Sequence, residues 1–344
     1  MELRKGILIQ FILAVLSVHA FAQQAPSTIE VHGFIMVDAG YNFNSIDPDW
    51  FDVMRPTKLP KYKGQFGADG NIYYSVRQTR LGIRSSTPTW LGELKTRFEF
   101  DLFGFGKDAG QTTFHLINAY AEIGKMGAGQ TSSVFMDLDV FPVTLDYWGP
   151  LTRVFNFNVQ LRYTPIRKDN ERLAIALERP GGKADGGEFE NTVEIQQVKP
   201  VFQCPNLAVH YRRQYEWGHF QVSGVAKMMK WKDADSSGID LSGKAFGWGI
   251  NINTAIRVTE NVRIKFQGLA GEGLENYIAD APADVALKAD AANSAKPIKG
   301  VALPVWGFFS FLEVDWSAKW RSTLGYSMEV EYFIRIPSCL KSYF

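Results

Sequence analysis

Charged residues occupy every second position from Glu93 to Asp101, namely Glu93, Lys95, Arg97, Glu99 and Asp101. Leu94, Phe98 and Phe100 fall between them, and Leu102 follows in the same phase. A β-strand sends successive side chains to opposite faces, so this strand has one wet face and one oily face. The pattern recurs along the chain. A first strand is predicted near Ile29–Asn42, a second near Tyr73–Ser85, a third over Glu93–Phe103 and a fourth over Phe114–Gly124. A small, Gly-rich fifth follows around Met126–Val134. In the sixth, Phe155, Phe157, Val159, Leu161 and Tyr163 oppose Asn156, Asn158, Gln160 and Arg162. Further strands are predicted at Arg172–Glu178, Asn206–Tyr215, His219–Trp231, Lys244–Arg257, Val262–Ala270, Val305–Trp316 and Lys319–Glu331. The reading is all-β, with about thirteen strands.

The connections alternate short and long. Lys125, Glu216–Gly218 and Ser317–Ala318 are among the short ones; Phe43–Ile72, Phe135–Thr152, Arg179–Pro205 and Gly271–Pro304 are among the long ones. Short periplasmic turns in phase with long external loops are the layout of a transmembrane antiparallel β-barrel, and the phase places the mature N-terminus on the periplasmic side. A soluble sandwich has no reason to hold that phase.

The N-terminus reads as an export signal. Arg4 and Lys5 outweigh Glu2, Ile7–Val18 is an apolar run too short to span a bilayer, and Ala20-Phe21-Ala22 is a small-x-small cleavage site. Residues 1–22 are therefore expected to be a cleaved signal peptide of a Gram-negative-type bacterium, with 23–344 forming the outer-membrane barrel. Lys and Arg number 37 against 36 Asp and Glu, a balance that argues against nucleic acid as a partner. Aromatics make up 14% of the chain, and many fall near predicted strand ends, as in the girdles at the two membrane interfaces. Cys204 and Cys339 provide no disulfide framework.

Several stretches resemble DcaP-type porins. Arg77-Gln78-Thr79-Arg80-Leu81-Gly82 is similar to an early R-Q-S-R-x-G segment of that family. Gly129-Gln130-Thr131 with Phe135-Met136-Asp137 resembles a G-Q-T-x-S-x-F-M-D segment, and Phe141-Pro142 through Thr144-Leu145-Asp146 to Gly149-Pro150 resembles the F-P-E-T-L-D-x-x-G-P that follows. Gln160-x-Arg162-Tyr163-Thr164 continues the likeness. The resemblance implies a homotrimeric outer-membrane porin of about sixteen strands, surrounded by outer-membrane lipid and passing small anionic solutes of the dicarboxylate kind. Against that pattern the chain is short: after Met328 the alternation fails, and Pro337 would remove a ladder donor. The expectation is a chain truncated or frame-altered after about Val330, with 332–344 an atypical tail.

The wet faces are expected to line the pore. Arg80, Arg84, Lys95, Arg97, Arg162, Arg212, Arg263 and Lys265, with Glu99 and Glu122, are the pore-lining set. An excess of basic groups favours anions; the alternative is that they form cross-strand ion pairs holding a hydrated wall. The loop Phe135–Thr152 carries Asp137, Asp139 and Asp146 beside Tyr147 and Trp148, stiffened by prolines. With so much apolar surface it is expected to fold back and form one side of a constriction opposite Arg80 and Arg97; a trimer contact is the alternative. Gly271–Pro304 reads as a solvated external loop, helical around Ala283–Ala292. Asp280, Asp284 and Asp290 match no metal-loop spacing, and no nucleophile or phosphate-cradling motif is present, so no metal, cofactor or catalytic residue is expected. A non-conducting barrel, adhesin or remnant, is the second reading of the chain, and an outer-membrane lipid hydrolase the third.

Overall fold

The computed structural model describes residues 26–104, 106–182, 184–185, 198–233, 240–281, 283–290, 292–293, 296 and 298–331. The expected export signal and the expected atypical tail 332–344 lie outside these residues. In chain order the strands are β1 (Thr28–Phe34), β2 (Asp38–Asn42), β3 (Asn71–Ser75), β4 (Arg80–Thr89), β5 (Gly92–Asp101), β6 (His115–Ile123), β7 (Met126–Ser132), β8 (Phe157–Lys168), β9 (Glu171–Glu178), β10 (Ala184–Asp185), β11 (Val198–Pro200), β12 (Asn206–Tyr215), β13 (Gly218–Asp233), β14 (Gly243–Arg257), β15 (Val262–Glu272), β16 (Val285–Ala289), β17 (Ile298–Ala302), β18 (Pro304–Asp315) and β19 (Arg321–Glu331).

One antiparallel path runs β1-β4-β5-β6-β7-β8-β9-β12-β13-β14-β15-β18-β19, so thirteen strands form the wall. The hairpin β2–β3 extends β1 and β4 beyond irregular joints, and β11 adds to the far end of β13. Most of the predicted strands match wall members closely. The turns fall where alternation stops: Trp90-Leu91, Gly124-Lys125, Asp169-Asn170 and Glu216-Trp217 each join two neighbouring strands.

Burial along the wall is inverted relative to a soluble sheet. On β8, Asn158, Gln160, Arg162 and Thr164 are buried, while Val159, Leu161 and Tyr163 are exposed. On β13, His219, Gln221, Ser223 and Lys227 are buried and Phe220 is exposed. On β14, Asn251 and Asn253 are buried while Trp248, Ile250 and Ile252 are exposed. In water, each large apolar side chain left exposed forgoes about 1.5–3 kcal/mol. Only a lipid exterior makes this pattern favourable, and a barrel wall meets lipid while its backbone groups bond between strands.

Two expectations fail here. Gly271–Pro304 is not wholly external, and the helix expected around Ala283–Ala292 is replaced by strand: the first part turns inward, and Val285–Ala289 is β16, paired with β10 and β17. Pairing with two neighbours outweighs the local helical preference of its alanines. Phe155 does not continue the lipid face of β8. It lies before the strand, its amide donates to the Tyr277 carbonyl at 2.9 Å, and its ring packs beside Phe141 against the interior cluster.

Candidate functional site

The inward polar residues have an occupant. After β7 the chain enters the barrel, and residues 133–154 lie along the wall. A buried backbone group needs a partner, and the wall supplies one strand after another. His210 on β12 bonds the Val134 carbonyl through Nδ1 at 3.0 Å. The Phe135 carbonyl accepts from Ser223 Oγ and Asn251 Nδ2, both at 3.0 Å, and Gln221 donates to the Met136 carbonyl at 3.2 Å. Lys265 donates to the Phe141 carbonyl at 2.5 Å, and Glu313 accepts from the Val143 amide at 2.8 Å. Gln267 and Glu329 hold Thr152 by its carbonyl and amide at 2.5 and 2.8 Å. The infolding expected from the apolar content of this loop is therefore what the structure has.

Glu178, at the end of β9, is fully buried at the start of the segment. Its carboxylate accepts from the Val134 amide at 2.8 Å, Ser133 Oγ at 2.8 and 2.9 Å, Asn158 Nδ2 at 3.1 Å and the Tyr277 hydroxyl at 3.0 Å. The last bond ties in a second inward segment, residues 273–281 and 283–284. Tyr277, Leu274 and Ile278 join Val134, Phe135 and Met136 in an apolar cluster inside the barrel. Gly249 makes room for it: a Cβ there would lie 2.7 Å from Leu274 Cδ1 and 3.1 Å from Phe135 Cζ. Burial and the neighbouring Glu178 carboxylate both push the Tyr277 hydroxyl well above its ordinary value. Lys227 and Asp284 meet at 2.6 Å with no exposed surface on either side chain. Asp280 takes Arg55 at 2.6 Å. The solvated face expected for Asp280 and Asp284 is thus overturned, because both aspartates neutralise cations inside the barrel.

Asp137 anchors the segment by charge. It accepts from His219 Nε2 at 2.7 Å and Arg212 Nη1 at 3.0 Å, while Arg212 also reaches Asp139 at 2.5 Å. Burial alone would raise the Asp137 carboxyl; the His219 bond and the His219 and Arg212 charges outweigh it and hold the group below its ordinary 3.8. A depressed carboxylate stabilises the fold fully above its unfolded value and loses that contribution as pH falls through the folded value. Acid below the ordinary Asp range is therefore expected to loosen residues 133–154, seen as rising single-channel conductance. D137N should remove most of that pH dependence, and an identical profile in D137N would contradict the anchoring role.

The opposite wall is β4–β5. Arg84 and Arg97 face each other in register. Both turn to Glu99, at 3.6 and 2.7 Å, with His32 at 3.3 Å and Asn118 Nδ2 at 2.5 Å completing the set. Gly82 permits this, since a Cβ there would sit 2.4 Å from Glu99 Cγ. Arg80 approaches Asp101 at 3.5 Å and lies close enough to Tyr147 for its charge to act on that hydroxyl. Burial and the Asp101 charge push Tyr147 up to about 12. Tyr147 stacks on Phe103 at 4.3 Å, and Trp148 meets Trp50 edge-on at 4.8 Å and donates to the Ala279 carbonyl at 2.7 Å. Arg77, absent from the predicted set, is buried beneath this aromatic group, bonded to Asp52 and to the Gly104 carbonyl at 2.6 Å.

Of the predicted pore-lining residues, the structure gathers Arg84, Arg97 and Glu99 on the β4–β5 wall, with Arg80 farther along the same wall beside Tyr147. Others sit apart: Lys95 pairs with Glu93, Glu122 with Arg167, and Arg263 with Asp315. Arg162, Arg212 and Lys265 bind the infolded segment or its ends, and Lys265 also pairs with Glu313 at 3.2 Å. Asp146 does not face the wall arginines; it caps the Trp148 amide at 3.1 Å. Arg153 is buried between Phe141 and Phe155, and that burial pulls its guanidinium down to about 10. Glu178, Glu313 and Glu329 were missed, although each falls on the wet phase of its own strand. Among the described residues no group of His, Cys, Asp or Glu is arranged to hold a metal.

A polar-lined antiparallel barrel narrowed by an infolded segment is the architecture of an outer-membrane channel. The sequence profile of the DcaP outer membrane protein family matches residues 19–294, and this chain belongs to that family and to the outer membrane. Among solved structures it is similar to the outer membrane channel DcaP of Acinetobacter baumannii, with a TM-score of 0.72 at 18% identity over 91% of this chain and 81% of that one. OmpT of Vibrio cholerae gives a TM-score of 0.50 at 10% identity, over 90% and 78% of the two chains. No curated protein matches the sequence.

Proposed function

We propose that this outer-membrane channel passes small hydrophilic solutes by diffusion and prefers anions of the dicarboxylate class. The path runs along the exposed arginines of the β4–β5 wall, beside the Tyr147–Trp148 tip that packs on its end. One observation carries the reading: on that wall the cations are open to water and the acids are hidden. Arg80, Arg84 and Arg97 are 30, 49 and 39% exposed, whereas Glu99 and Asp101 are 2 and 1% exposed. A solute therefore meets the positive ends of these pairs first, and a charged lining sets selectivity. Lys95 adds less, because Glu93 beside it is equally exposed. The family resemblance supports a homotrimer, and the small-x-small site supports export with cleavage after Ala22.

Charge reversal tests the wall. R80E and R97E are each expected to lower the anion-over-cation permeability ratio in planar bilayers, and the pair to do so by about tenfold. Unchanged selectivity would remove both residues from the constriction. The apolar cluster packed inside the barrel favours one other reading, a plugged, non-conducting barrel. Absence of channel events from correctly folded protein would establish that alternative.

A further inference from the structure

Beside the infolded segment, on the side of the β8–β9 turn, is a cavity of about 330 Å³ to which the β4–β5 wall contributes no residue. Its wall holds Arg172 and Arg212, which share a cross-strand row with Arg167 just outside it. Arg167 on β8 pairs in register with Arg172 on β9, which pairs in register with Arg212 on β12. Like charges placed directly opposite are destabilising unless something neutralises them. The two outer arginines are neutralised. Arg167 holds Glu122 in a two-point contact at 3.1 and 2.9 Å, and Arg212 holds Asp137 and Asp139. Arg172, in the middle, is different: its Nε is buried with no hydrogen-bond partner, and no carboxylate among the described residues forms an ion pair with it.

Two further groups line the same cavity. Arg162 donates only to neutral acceptors, Gln160 Oε1 at 3.1 Å and the Ser132 carbonyl at 2.6 Å. His210 uses Nδ1 on the Val134 carbonyl, leaving Nε2 buried and unpartnered. The acids at the rim are engaged elsewhere. Asp137 and Asp139 lie on Arg212, and Glu171 takes Lys168 and the Tyr211 hydroxyl, each at 3.0 Å; Asp169 is exposed on the turn. The cavity thus contains two guanidiniums free of carboxylates and an imidazole nitrogen without a partner.

We propose that the cavity bounded by Arg172, Arg162 and His210 is a binding site for a small oxyanion, a carboxylate-bearing solute or inorganic phosphate, seated apart from the β4–β5 wall. Guanidinium forks match the planar carboxylate and the phosphoryl group alike, and the volume suits a molecule of a few heavy atoms. The proposal rests on the channel reading only for the route by which the anion arrives.

Titration calorimetry of the purified protein in detergent, with succinate in one arm and phosphate in the other, tests it. Saturable binding is expected, and whichever anion binds more tightly identifies the source. R172Q, which breaks no hydrogen bond of the free protein, should raise the dissociation constant about tenfold or more. R172K should retain part of the affinity, and R213Q, one position along on the outward face, should leave it unchanged. Absence of saturable binding, or equal affinity in wild type and R172Q, would overturn the site. Conductance of the same samples separates the two readings. Saturable, Arg172-dependent binding by a protein that forms no channels keeps the site and removes the porin; anion-preferring channels with binding unaltered in R172Q remove the site alone.

Discussion

E178A is expected to lower stability by roughly 3–5 kcal/mol and to raise single-channel conductance. Glu178 receives the Val134 amide, the Ser133 and Tyr277 hydroxyls and the Asn158 amide group, all inside the barrel. Truncation leaves those donors buried without an acceptor, and a buried group left unpaired costs about 1–3 kcal/mol. The same change cuts the shared tie between the two inward segments, so both gain freedom and the lumen widens. E178Q keeps one acceptor oxygen but turns an amide donor toward the others, and it should fall between wild type and E178A. Unfolding temperature in detergent and conductance in bilayers read the two effects. If E178A leaves both unchanged, Glu178 is not the anchor of these segments.

The second large effect is expected at Lys227. Removing one partner of a buried ion pair costs about 3–5 kcal/mol, because the remaining charge loses its counter-ion in a site with little water. K227A removes the ammonium that Asp284 faces at 2.6 Å, together with the bond from Lys227 to Asn276 Oδ1 at 2.5 Å. The double replacement K227M/D284L removes both charges and retains volume. It should recover most of the loss, since apolar substitutes for a buried pair are often neutral or stabilising. Denaturant unfolding in detergent gives the comparison. A double variant no more stable than K227A would mean that the pair matters through something other than charge burial.

The wall was legible in the sequence because its code is local. Alternation at Val159–Tyr163 or Glu93–Asp101 needs only the period of a strand, and the turns at Lys125 or Glu216-Trp217 need only the failure of that period. The inward turn of residues 133–154 was also legible, from apolar residues and prolines that a loop in water has no use for. Its anchors were not. Ser223, Asn251 and Gln267 read as ordinary wet-face residues until the chain more than 80 positions earlier is laid against them. The second inward segment escaped notice because Leu274, Tyr277 and Ile278 are spaced among small and charged residues, so that its composition imitates a solvated loop. The excess of basic residues expected on the wet faces is real on the β4–β5 wall only as exposure; elsewhere Glu178, Glu313 and Glu329 offset it. Counting charges in sequence could not separate groups that water sees from groups that hold a loop.

The central claim is a water-filled passage whose narrowest part presents cations. The zero-current potential across a salt gradient, with purified protein in a planar bilayer, tests it most directly. Discrete channel openings are expected, with a potential whose sign shows chloride more permeant than potassium, diminished in the R80E/R97E double variant. A folded, inserted protein that forms no channels, or one whose potential favours potassium, would contradict it.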